Sequence, residues 1–371
     1  MAAGEVIAPS TMSEATPESI REALGTVLDP ATQRDLVSGR QVGAVEVDDA
    51  IHLEVALISP GYPLRGALEA AIRTALEPFA KPVEIRWDLA VPRKPARQDL
   101  DRLPTVKNVI AVAAGKGGVG KSTVAVNLAL ALQRHGATVG LLDADIYGPS
   151  VPKMMGPASR PCDKSTGGDR IIPALHRGVP VMSVDFFVET GRAVIWRGPM
   201  IHKLLQQFLE DVEWGELDYL IIDLPPGTGD AQLSLGQLLP ITGGVIVTTP
   251  QEVALLDVRK AVDMFAKLEV PLLGLIENMS HYRCPACGHV DHIFSSGGGK
   301  RLAEELGIEL LGQLPIDNAV SAGGETGKPV ILAVPDGEHA KVFLDTAANV
   351  ALAAAKLHAT GPKRSSMLRT V

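Results

Sequence analysis

The sequence predicts an α/β protein: a doubly wound, mainly parallel sheet preceded by a smaller α/β unit. Three observations carry this. From about residue 106 onward, short apolar runs alternate with amphipathic helical stretches; one of those runs passes through a glycine-rich loop straight into a helix; and residues 92–104, PRKPARQDLDRLP, set this part off from what precedes it. The chain has 371 residues, which at about 150 per domain is more than one domain, and its 46% hydrophobic content excludes collagen-like and disordered classes. Acidic residues number 43 against 35 basic, so the net charge of −8 repels a nucleic-acid backbone, and no nucleic-acid partner is expected. Three cysteines cannot build a disulfide framework. The opening MAAGEVIAPS lacks a cationic, apolar leader pattern, and no apolar run approaches the roughly 20 residues that span a bilayer. The expectation is a reduced, soluble, cytoplasmic protein with no membrane partner.

Residues 12–91 read as one small α/β domain. A helix over Ser19–Leu28 stops at Asp29-Pro30; Val42–Val47 and Ile51–Ile58 form a hairpin around an acidic turn; Leu64–Leu76 is an amphipathic helix, and Val83–Val91 a third strand. The order helix, hairpin, helix, strand resembles the small module of iron–sulfur assembly proteins. Members commonly carry a cysteine in the loop after the second strand, whereas this loop is Ser59-Pro60-Gly61-Tyr62-Pro63. A packing or docking role is therefore expected here rather than metal binding. Residues 92–104 read as a linker, 105–358 as the larger domain and 359–371 as a solvated tail containing Lys363, Arg364 and Arg369.

In the larger domain, the apolar strand Val109–Ala114 leads into Gly115-Lys116-Gly117-Gly118-Val119-Gly120-Lys121-Ser122-Thr123, and Val124–Gln133 carries a helical apolar face. Strand, glycine loop and helix are the context of a phosphate-binding loop, in which backbone N–H groups and the helix N-terminus surround the phosphates. Lys121 is placed to reach the β- and γ-phosphates, and Ser122 to ligate Mg²⁺. Two further strands end in acid: Val139–Asp143, continuing to Asp145, and Asp218–Asp223, continuing into LPPGTGD. Carboxylates at the C-terminal ends of parallel strands lie on the ligand side, so Asp223 is the candidate for Mg²⁺. Asp145, in what reads as a mobile loop, is the candidate for orienting the attacking water. For Asp143 an N-cap or loop ion pair competes with a functional role. Strands at Val245–Thr249, Leu272–Glu277 and Leu310–Leu314 alternate with helices near Met200–Val212, Leu255–Leu268 and Lys300–Leu306, and Glu338–Leu357 reads as a final helix.

The extra lysine, Lys116, marks the deviant P-loop class, and five longer stretches narrow the resemblance: WRGPM (196–200), LDYLIIDLPPGTGD (217–230), TTPQEVALLD (248–257), ENMSHYRCPACGH (277–289) and IFSSGGG (293–299). Together they resemble the Mrp/ApbC family of iron–sulfur cluster carrier ATPases over 106–335. The resemblance implies a homodimer, ATP binding and hydrolysis, and a labile [4Fe–4S] cluster received from a scaffold and passed to apo-proteins. It also implies that Lys116 reaches the partner's nucleotide and that Asn278 reads the adenine.

Ligand arithmetic bears on the cluster separately. A [4Fe–4S] cluster takes four thiolates, and Cys284-Pro-Ala-Cys287 supplies two, so two chains meeting at this loop would complete the set. A Cys₄ zinc bridge across a dimer, a mononuclear site with His289 and His292, and a redox-active pair remain open at this point. Cys162 lies outside any metal spacing and reads as a bystander. The alternative function is a Min/Par-type positioning ATPase acting on membrane or DNA, which would want a basic stripe or an amphipathic C-terminal helix and has no use for the CPACG sequence.

Overall fold

The computed structural model describes residues 14–93, 102–156, 161–163, 170–187, 198–227, 232 and 236–360. The chain forms two compact units, the first running to Ile58 and again over Tyr62–Ala90, the second from Val91 onward together with Ser59–Gly61. Among the described residues, no helix is long and apolar enough to cross a membrane.

In the first unit, α1 (Pro17–Leu24) begins at a capping box in which the Ser19 amide donates to Thr16 Oγ1 and the Thr16 amide to Ser19 Oγ. The helix ends four residues short of the expected Leu28, because the chain turns at Gly25 and Leu28 instead bridges to Asp35. Strand β1 (Val42–Val47) pairs antiparallel with β2 (Ile51–Leu57); α2 (Arg65–Leu76) follows; β3 (Val83–Leu89) returns parallel to β2. Alternation along β2 sends Ile51, Leu53 and Val55 into a core with Ile20, Leu24, Leu68, Ile72 and Leu76. The buried Asp29 carboxylate receives the Tyr62 hydroxyl at 2.8 Å, the Gln41 amide at 3.1 Å and the Ala31 and Thr32 backbone amides. It ties three loops together.

The second unit is an eight-stranded sheet. In chain order its elements are β4 (Val106–Ala113), α3 (Lys121–Arg134), β5 (Val139–Asp143), α4 (Val151–Met155), the short pair β6 (Cys162–Asp163) and β7 (Ile171–Ile172), then β8 (Ala174–His176), β9 (Val179–Ser183), α5 (Gly198–Glu210) and β10 (Leu217–Asp223). After these come β11 (Gly243–Thr248), α6 (Glu252–Lys267), β12 (Leu272–Glu277), the hairpin β13 (Tyr282–Arg283) and β14 (Val290–Asp291), α7 (Gly298–Leu306), β15 (Leu310–Gln313), α8 (Asn318–Thr326), α9 (Val330–Ala333) and α10 (Glu338–Thr360).

The spatial order is β15-β12-β11-β4-β10-β5-β9-β8, every pair parallel except β8 with β9. The interior strands are buried on both faces, which is why they read as continuous apolar runs rather than alternating ones. Val109, Ala111 and Ala113 pack with α5, α6 and α7 through Leu205, Phe208, Val258, Phe265 and Leu302; Ile110 and Val112 point to the opposite face. Leu103, within the stretch read as linker, is buried in this same core, and Arg102 pairs with Glu210 at 3.0 Å. The tail over 361–371, Trp196 and Arg197 of WRGPM and the final TGD of LDYLIIDLPPGTGD lie outside the described residues.

Candidate nucleotide site and cysteine hairpin

Parallel register brings one end of each central strand to a common rim: Asp223 stands beside both Asp143 and Val112, and Thr248 beside Glu277. Over that rim runs Gly115–Gly120. Gly118 and Gly120 have φ of +80° and +83°, a left-handed backbone that costs other residues energy. Gly115 lies so close to the backbone of Asp257 in α6 that a Cβ there would stand 2.4 Å from the Asp257 carbonyl oxygen. Helix α3 starts at Lys121 and points its N-terminal amides into the loop.

Lys121 is almost fully buried, and its Nζ donates to Asp223 Oδ1 at 2.6 Å and stands 3.5 Å from Asp145 Oδ2. Burial pushes the Asp223 carboxyl up from its ordinary value, and the Lys121 ammonium pulls it back. Among the described residues, Asp223 Oδ2 is buried with no hydrogen-bond partner. A lone carboxylate oxygen of this kind, close to the half-buried Ser122, fits a divalent cation held by these two residues. Lys116 is half-buried and makes no ion pair among the described residues.

Asp145 differs from the expectation of a mobile loop residue: it is buried, and the backbone around it is fastened by Asp143. Asp143 Oδ1 accepts the Asp145 amide at 3.1 Å, while Oδ2 accepts the Ser150 and Val151 amides at 3.1 and 3.2 Å and the Ser183 hydroxyl at 3.1 Å. Asp143 thus caps α4 from a neighbouring strand. Burial first, and the negative charge of Asp223 second, push its carboxyl up to about 7. Ser183 is not legible in the sequence because its strand follows the turn glycine Gly178 directly and contains Pro180; the only signal is the apolar run ending at a serine.

Asn278 follows β12 directly, and its Nδ2 donates to the Val119 carbonyl at 2.8 Å, inside the phosphate loop. Six residues on, Cys284 and Cys287 occupy the turn of the β13–β14 hairpin. The turn is closed by Cys284 N to His289 O at 2.9 Å and Gly288 N to Cys284 O at 2.8 Å, with Gly288 at φ +72°. Backbone amides of Cys287 and Ala286, then the Cys287 side chain, hold the Cys284 thiol below its ordinary value. Both thiols are free, and Cys287 is exposed. Among the described residues, no three His, Cys, Asp or Glu side chains converge to hold a metal ion within one chain. His292 Nδ1 is engaged with the Ser280 carbonyl at 3.1 Å, and His289 meets Cys284 through its backbone, so this arrangement does not assemble the mononuclear site. Cys162 lies in β6, paired with Ile172 of β7.

A glycine loop between strand and helix, a lysine on the strand-borne aspartate and a mainly parallel sheet define a P-loop NTPase of the α/β class. Residues 105–351 match the family described as NUBPL iron-transfer P-loop NTPase, and residues 17–86 match the iron–sulfur cluster assembly protein family. The chain belongs to the iron-transfer P-loop NTPase family. It is 46% identical over 338 residues to the iron–sulfur cluster carrier protein of Deinococcus radiodurans, covering 90% of this chain and 94% of that one. With the carrier protein of Escherichia coli K12 the identity is 40%, covering 91% and 93%, and with the mouse iron–sulfur cluster transfer protein NUBPL it is 47%, covering 66% and 77%. A solved nucleotide-binding protein of Archaeoglobus fulgidus, in complex with ADP, superposes with a TM-score of 0.54 at 39% identity, covering 62% of this chain and 89% of that one.

Proposed function

We propose that this protein binds and hydrolyses ATP to carry a [4Fe–4S] cluster from a donor scaffold to apo-proteins in the cytoplasm, as a homodimer with one cluster shared between two chains. The observation that carries the reading is the pair of free cysteines in a closed turn that continues from β12, the strand whose next residue, Asn278, bonds to the phosphate loop. Each chain offers two closely spaced thiolates where the cargo takes four, so two chains supply one set. The relatives named as cluster carriers or cluster transfer proteins support it.

In this reading Gly115–Thr123 cradle the phosphates, Lys121 exchanges Asp223 for the β- and γ-phosphates, and Ser122 and Asp223 hold Mg²⁺, which neutralises phosphate charge when bound. Lys116 serves the partner's nucleotide, Asp145 orients the attacking water and Asn278 reads the adenine. The unit over 12–91 has no cysteine and recruits partners; the ATPase unit over 105–358 holds both nucleotide and cargo.

Anaerobic reconstitution tests it. The expected result is four iron and four sulfide per two chains, lost in C284A and in C287A with ATP binding intact, and unchanged in C162A. Full iron and sulfide in the double cysteine variant, or zinc alone in the native protein, would replace the carrier reading with a structural zinc bridge. K116A should bind ATP and turn over slowly; unchanged turnover removes its action on the partner.

A further inference from the structure

We propose that Ser183 is a positioning residue for phosphoryl transfer: through Asp143 it fixes the backbone of the loop that presents Asp145. This rests on the reading of Asp145 given above. The strand register builds the contact, since Asp143 and Ser183 are the paired last residues of the parallel strands β5 and β9. Both are fully buried. The Asp185 amide donates into Ser183 Oγ at 3.2 Å, which leaves the hydroxyl proton directed at Asp143 Oδ2, 3.1 Å away.

The Asp143 carboxylate then closes the loop at both ends. It takes the Asp145 amide at the start and the Ser150 and Val151 amides at the finish, at 3.1 to 3.2 Å. Between these points Ile146 is buried in the hydrophobic core, whereas Tyr147 and Gly148 are exposed, so the loop is held by the Asp143 contacts at its ends and by Ile146 between them. Asp145 Oδ2 reaches to 3.5 Å from Lys121 Nζ, so a loop freed at either end moves the carboxylate away from the phosphate-facing lysine. Without the Ser183 hydroxyl, the Asp143 oxygen that serves two amides loses its only side-chain donor among the described residues, and the carboxylate is oriented by backbone amides alone. Catalysis by positioning is sensitive to displacements of this size.

The test uses the full chain and four variants: S183A, D143N, D145A and S183A/D145A. S183A is expected to lower kcat about tenfold while leaving KM for ATP and the Kd of a fluorescent ADP analogue within about twofold of wild type. The amides of Ser150 and Val151 should exchange with deuterium about tenfold faster. D143N should reproduce both effects. S183A/D145A should turn over no more slowly than D145A, because the serine acts through that residue. An unchanged kcat in S183A, or the same fractional loss in the D145A background, overturns the proposal and leaves the reading of Asp145 standing. A loss of nucleotide affinity equal to the loss of kcat overturns it too, since that marks a general structural role. Wild-type turnover in D145A overturns the reading of Asp145 and the proposal with it.

Discussion

Lys121 neutralises two buried carboxylates, Asp223 and Asp145, so removing it strands negative charge away from water. Nucleotide-free K121A should lose about 3 kcal/mol or more of stability at neutral pH, with K121A/D223N recovering much of it; urea denaturation measures both. The sign with pH follows from Asp223. Its folded value, already above the ordinary 3.8, rises further without the lysine, so the folded state holds a proton that the unfolded state releases. The deficit therefore grows as pH rises through that window and shrinks toward pH 4; a deficit larger in acid refutes the charge argument. At the cysteine turn the direction is opposite. Backbone amides lower the Cys284 thiol, so in reduced, cluster-free protein its alkylation by iodoacetamide should begin at a lower pH than that of an ordinary thiol. Because the backbone amides of Cys287 and Ala286 are the leading causes, C287S should keep most of this shift; a return to ordinary behaviour would assign it to the Cys287 side chain instead.

Elements buried on both faces were legible in the sequence at the residue level. Val139–Asp143 and Leu272–Glu277 are strands at the bounds read, because a continuous apolar run closed by an acid has few other interpretations. The phosphate loop was equally clear. What escaped was short or interrupted: β8 and β9 stand among Pro173, Gly178 and Pro180, α8 carries Gly323 and Gly324, and β13 and β14 are two residues each. Their conformations are set by tertiary pairing rather than by local pattern. The clamp on Asp145 escaped for the same reason, since Ser183 and Asp143 are forty positions apart and meet only through strand register. At the same scale, Gly120 is where loop and neighbouring strand interlock: at φ +83°, a Cβ there would stand 2.2 Å from Asn278 Nδ2. G120A should lose roughly 1–2 kcal/mol from the left-handed backbone alone and bind a fluorescent ATP analogue at least tenfold more weakly. Adding N278A should restore part of the stability; no recovery would mean that backbone conformation carries the whole cost.

At the scale of the whole molecule, the two compact units should unfold separately. A fragment of residues 102–371 keeps the Arg102–Glu210 pair and the buried Leu103, and should melt in one cooperative transition, bind nucleotide and accept a reconstituted cluster. A fragment beginning at Val106 should melt lower. If the longer fragment binds nucleotide yet holds no cluster, the first unit has a share in the cargo site that its lack of cysteine argues against. The sheet itself has a further consequence. Its interior strands β4 and β10 run for eight and seven residues, whereas its margins, β15 and β8, run for only four and three. Among the described residues, a margin that short offers a passing chain few open amides and carbonyls to zip onto, and the longest and most apolar strands lie paired inside the folded sheet, away from any open edge.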